Sequence, residues 1–142
     1  MRDLVLDAEL VTLSACMSGI SQVLSGDELF GLQRAFLYAG APTVVCTLWE
    51  AADFVALIVM DHFYTALRAG SPAAAALRDA QVALRDMTGR DLLATLDRWR
   101  DEAPAFVAAL GDLPDVPPDA LNSAIYADPF FWAPFMLIGK PD

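Results

Sequence analysis

The sequence is short of the residues on which most metal sites, disulfide scaffolds and nucleic-acid surfaces depend. It holds two cysteines, Cys16 and Cys46, one histidine, His62, and nine lysines and arginines against nineteen aspartates and glutamates. A net charge of −10 with no local basic cluster argues against nucleic acid as a partner, because phosphate binding is driven by Lys and Arg that displace counterions. Two cysteines make no disulfide framework, and with no CxxC pair and no His/Cys cluster, neither a metal nor a cofactor is expected. No apolar run approaches the ~18 residues of a membrane-spanning helix. Nor is Met1-Arg2-Asp3 followed by a signal-peptide core, since Asp7 and Glu9 break the short apolar run there. The expectation is a cytoplasmic chain with no membrane partner.

What the sequence does have is apolar mass. Of its 142 residues 56% are hydrophobic, and the mean hydropathy is +0.43. That length suits one domain. Greasiness combined with strong acidity implies a large core or an apolar face that something else covers.

Leu10-Val11-Thr12-Leu13-Ser14-Ala15-Cys16 is a short apolar run, rich in β-branched residues, that stops at a thiol. It reads as a buried strand delivering Cys16 to its carboxyl end, where open α/β sheets hold their clefts. The competing reading of Cys16 is a small buried hydrophobe. A Gly/Ser loop follows, and then a helix capped by Ser25 or Asp27, with Leu29, Leu32, Ala35, Phe36 and Ala39 at helical spacing and Gly40 at its end. Pro42 to Leu48 reads as a second buried strand, so Trp49 to Asp53 lies on the same rim as Cys16. A two-residue link from helix to strand is the α/β pattern.

Asp53 is placed to cap a helix over Phe54 to Ala69, and Ser71-Pro72 to open another running to about Met87. Asp91 to Arg100 and Pro104 to Leu110 read as helices, and the proline- and aspartate-rich stretch Gly111 to Asp119 as a loop. Residues 88–127 as a whole read as a helical and loop insertion at the surface, not a second domain. The aromatic run from Asp128 reads as a loop beside the cleft, with Phe135 to Ile138 a final core strand.

Leu13-Ser14-Ala15-Cys16, Gly26-Asp27-Glu28 leading into Gly31-Leu32-Gln33-Arg34-Ala35-Phe36-Leu37-Tyr38-Ala39-Gly40-Ala41, and Val44 to Trp49 with Asp53 together resemble the carboxyl-terminal half of a CHAT domain. Phe63-Tyr64, Ala76 to Gln81 and Phe130 to Gly139 continue the resemblance in the same order. It covers the chain outside the stretch after Met87, and the ordered series of blocks makes it specific.

CHAT domains are similar to caspases and separases, so the resemblance implies an α/β, caspase-like three-layer sandwich. Residues 1–142 would be a partial domain, the cysteine-strand half of a mostly parallel sheet flanked by helices. It implies a cysteine endopeptidase with Cys16 as nucleophile, its backbone N–H contributing to the oxyanion hole. The substrates implied are proteins or peptides. Trp49, Asp53 and Asp27 are candidates for the substrate pocket, although helix capping is the alternative for both aspartates; an acidic pocket would favour a basic substrate residue.

The family's catalytic histidine belongs to a His-Gly turn upstream of the cysteine strand, and this sequence has none there. His62 falls mid-helix where no family motif places a base, and Asp128 stands where the family often has histidine. The expectation is a chain inactive alone. Its edge Leu10 to Leu13 would pair with a separately encoded amino-terminal half or with a second copy. The alternative is a catalytically silent protein–protein interaction module.

Overall fold

β-branched and apolar residues at every position of Thr43-Val44-Val45-Cys46-Thr47 favour a strand buried on both faces, and this segment is the centre of the sheet. The structure, a computed structural model, describes residues 5–13 and 33–142. Its sheet has three strands in the order β1 (Val11–Thr12), β2 (Thr43–Thr47), β3 (Phe135–Gly139). β1 runs parallel to β2, with Val11 opposite Val44 and Thr12 opposite Val45. β3 runs antiparallel, from Thr43 opposite Gly139 to Thr47 opposite Phe135. The carboxyl ends of β1 and β2 and the start of β3 therefore form one rim.

Helices cover both faces. Helical residues 33–38 (α1) end at Gly40, whose φ of 112° lies in the left-handed region expected of a terminating glycine. Buried Gln33 of α1 donates from Nε2 to Cys46 Sγ at 3.0 Å. Val45 alternates to the other face, where it joins the cluster built by α2 (Asp53–Arg68) and α3 (Ala73–Asp86), with Ile58, Val59, Phe63, Ala76, Leu77 and Leu84 at its centre.

The alanine-rich sequence of α3 lets it pack closely on α2. Then come α4 (Gly89–Glu102), α5 (Pro104–Ala109), a 3₁₀ turn at Pro118–Ala120 and α6 (Pro129–Trp132). Leu92, Leu96, Trp99 and Val107 are buried in the same cluster as α2 and α3, so residues 88–127 are not the surface insertion expected but supply part of the core. Trp99 meets Phe54 edge-on at 6.0 Å, and an ion pair between Arg98 and Asp61 joins α4 to α2.

Several sequence expectations need correction. The segment before Cys16 was expected to be buried, but Leu10 to Leu13 is half-buried and only Val11–Thr12 is a strand. Ala52, not Asp53, holds the capping position of α2, and Asp53 is the first helical residue, where its charge still faces the positive end of the helix dipole. Pro72, not Ser71, precedes α3, and no side chain caps it. Pro129–Trp132 is a short helix within the stretch read as loop, because Asp128 Oδ1 accepts from Phe130 N at 2.8 Å and proline suits a first helical turn. Expected caps Ser25 and Asp27 lie outside the described residues.

Helix α4 begins two residues earlier than its apolar spacing suggests, because Thr88 and Asp91 form a reciprocal capping box. Hydrogen bonds from the Thr88 hydroxyl and backbone hold the Asp91 carboxyl below its ordinary range. A carboxyl depressed in the folded state contributes stability above its unfolded pKa and loses it as the pH falls through the folded one. Thr88→Ala should therefore cost about 1 kcal/mol at neutral pH. In urea titrations its deficit relative to the parent should shrink below about pH 4; a deficit independent of pH would contradict this.

Candidate functional site

Chain direction assembles the candidate site. Leu13 donates its N–H to the Val45 carbonyl at 2.8 Å, continuing the parallel ladder, so the chain leaves β1 at the end of the sheet where β2 delivers Leu48 and Trp49. Leu48 N–H then donates to the Pro134 carbonyl at 2.8 Å, and Trp49 Nε1 donates to the Phe130 carbonyl at 3.1 Å. These two bonds tie the exit of β2 to the aromatic segment that enters β3.

That segment is fixed from below and within. Gln81 of α3 uses its amide nitrogen to donate to both the Trp132 and Phe135 carbonyls, each at 2.9 Å, satisfying acceptors that the turn into β3 leaves unpaired. Trp132 Nε1 reaches the Ala127 carbonyl at 3.2 Å, and Phe131 stacks edge-on with both Tyr126 and Phe130. With its polar edge satisfied, Trp49 remains 38% exposed, beside Leu48 at 48% and Phe130 at 58%. Three large apolar side chains are thus exposed together where β2 ends and the segment before β3 passes.

Trp49 and Asp53, predicted for one rim, are on it: Trp49 at the exit of β2 and Asp53 at the start of α2. Cys16 and Asp27 lie outside the described residues. His62 lies in α2, nine residues beyond Asp53, or about 13 Å down the helix axis from the rim. Its Nε2 is buried without a hydrogen-bond partner. Cys46 is on the sheet but points away from chemistry: it is buried against Gln33, and desolvation pushes its thiol above the ordinary value. Among the described residues three clefts lie elsewhere: one of about 500 Å³ beside Glu9, Thr43 and Gly70 at the opposite end of the strands, one of about 420 Å³ between α2 and α4–α5, and one of about 240 Å³ between Leu92, Pro114 and Tyr126. The candidate site is defined by strand direction and exposed aromatics.

Gln33, Gln81 and the aromatic clamp were absent from the site readings made on sequence. Gln81 was visible only as a polar residue in an alanine-rich helix, with no local signal for its two carbonyl partners 51 and 54 residues away. Among the described residues no group of three or more His, Cys, Asp or Glu side chains is disposed to hold a metal ion, and no helix is long and apolar enough to cross a membrane.

The family model described as CHAT domain matches residues 1–140. The chain belongs to the CHAT domain family. It is also 37% identical over 78 residues to Tetratricopeptide repeat protein 28 of Homo sapiens, and equally to the Mus musculus protein of that name. The match covers 55% of this chain and 3% of each relative. No solved structure matches. The ordered blocks that resemble a CHAT domain in sequence thus carry β2, α2, α3 and the aromatic entry to β3 of this CHAT domain.

Gln81→Leu should cost about 1–3 kcal/mol, since it leaves two carbonyls without their donor. Amide exchange should speed up at residues 130–136 more than in α2. Uniform loosening across the chain would show that Gln81 merely packs.

Proposed function

We propose that this CHAT domain is the cysteine-bearing portion of a caspase-like, three-layer cysteine endopeptidase, with Cys16 as nucleophile. The observation that carries the reading is the parallel β1–β2 ladder. A strand leaving Leu13 in that direction heads for the rim that already holds Leu48, Trp49 and Asp53. On this reading the thiol of Cys16, three residues further on in the sequence, attacks a carbonyl held against that rim. Its own N–H would stabilise the oxyanion as the tetrahedral intermediate forms. Peptide hydrolysis also needs a base to take the thiol proton and return it to the leaving amine. His62, about 13 Å from the rim, does not fit that task. We assign the base to a polypeptide segment that pairs along the outer edge of β1.

That edge suits the role. Because Leu13 N–H turns inward to Val45, strand alternation turns Thr12 N–H outward, and among the described residues no strand pairs with it. The occupant is an amino-terminal half bearing the base or, failing that, a second copy of the chain. The second reading, a silent interaction module, draws on the same exposed edge and rim and dispenses with Cys16 chemistry.

Labelling with iodoacetamide across pH, resolved by peptide mapping, separates the two. In the chain alone Cys16 should titrate near the ~8.5 of an ordinary thiol. With a polypeptide supplying a strand that ends in His-Gly, its inflection should fall and peptide hydrolysis should appear, both abolished by Cys16→Ala. An inflection that the added polypeptide leaves in place, with no hydrolysis, leaves the interaction module.

The edge itself is tested by Thr12→Pro, which removes the outward donor and spares the ladder to β2. Light scattering should show self-association or capture of the added half weakened by about tenfold or more, with the circular dichroism spectrum unchanged. Association as tight as the parent's would remove β1 as the pairing edge.

A further inference from the structure

The rim carries side chains that the proposed chemistry does not use. Among the described residues it includes two segments, residues 48–53 and 127–133, joined by the Trp49 Nε1 to Phe130 carbonyl bond. These segments carry three exposed large apolar side chains, Leu48, Trp49 and Phe130. They also carry three carboxylates, Glu50, Asp53 and Asp128, and neither lysine nor arginine. By sequence these two segments therefore carry a formal charge of −3, of which the α2 amino terminus offsets about half a charge.

We propose that this surface binds an extended polypeptide segment in which a large apolar side chain adjoins lysine or arginine. The inference rests on the rim being a polypeptide-binding face, and it names the chemistry of the occupant. Trp49 and Phe130 offer ring faces whose backbone neighbours are already hydrogen-bonded, so covering them buries apolar surface with no new unsatisfied polar group. A cation beside the apolar residue is attracted by the carboxylates of these segments, which discriminate against acidic sequences by like-charge repulsion. An isolated apolar residue gains the contact alone; an isolated cation gains only a screened surface attraction. The pairing of the two distinguishes the occupant.

The test uses the full chain carrying Cys16→Ala, so that binding is read without cleavage, and fluorescein-labelled peptides followed by anisotropy. The peptide with phenylalanine between arginines should bind about tenfold more tightly than one with glycine in place of phenylalanine, and than one with glutamates in place of arginines. Its advantage over the glutamate peptide should fall as salt is raised. Trp49→Ala and Phe130→Ala should each erase most of the phenylalanine advantage while circular dichroism shows the fold retained. Equal binding of the acidic peptide overturns the proposal. So does undiminished preference in both variants, or a dimer that Trp49→Ala dissolves and peptide cannot displace. Selective binding by a chain whose Cys16 proves inert would leave this proposal standing and the peptidase reading fallen. Cleavage indifferent to flanking charge would do the reverse.

Discussion

The central strand Thr43–Thr47 makes hydrogen bonds along both edges and buries four of its five side chains, so each other element takes its place by reference to it. Val45 faces the α2–α3 cluster, and Cys46 faces α1 through Gln33. Burial of this kind is expensive for the backbone unless every N–H and C=O is paired, and the parallel partner on one side and the antiparallel partner on the other provide those pairings. The two directions together bring the exits of β1 and β2 and the entry to β3 to a single rim.

At β3 the constraint becomes sharp. Gly139, at φ 102°, passes so close to Pro42 that a Cβ would overlap its carbonyl, while Lys140 N–H donates to the same carbonyl at 2.9 Å. The other end of the strand is held by Gln81. With both ends fixed, the aromatic segment before β3 has little freedom, and Trp49 and Phe130 are displayed on a rigid support instead of a loop free to collapse onto the core. Preorganised apolar surface of this sort loses little entropy when a partner covers it.

Residues 88–127 show how locally weak signals combine. Leu92, Leu96 and Trp99 lie at helical spacing, and that face was readable as amphipathic. What it packs on was not. The spacing is equally consistent with a helix lying on any apolar surface, and only the meeting of Trp99 with Phe54 and of Arg98 with Asp61 gives the helix its place beside α2. The same limit applies to capping: Asp53 and Ser71 have the chemistry of caps, yet α2 begins after Ala52 and α3 after Pro72, so neither takes the role.

The sequence by itself determined the α/β class, the strands at 43–47 and 135–139, helices α2 to α5 between them and the family, because each rests on periodicity, turn residues or ordered motifs within a few neighbours. It also put Trp49 and Asp53 on one rim, since parallel α/β order fixes which loops share a strand end. Tertiary structure alone decided that Trp49 is clamped to a carbonyl 81 residues away, that Gln81 carries the aromatic segment, that Cys46 is walled in by Gln33, and that His62 stands well below the rim. Those contacts join residues distant in the chain. Their energies depend on distance and burial, which no local pattern of residues encodes.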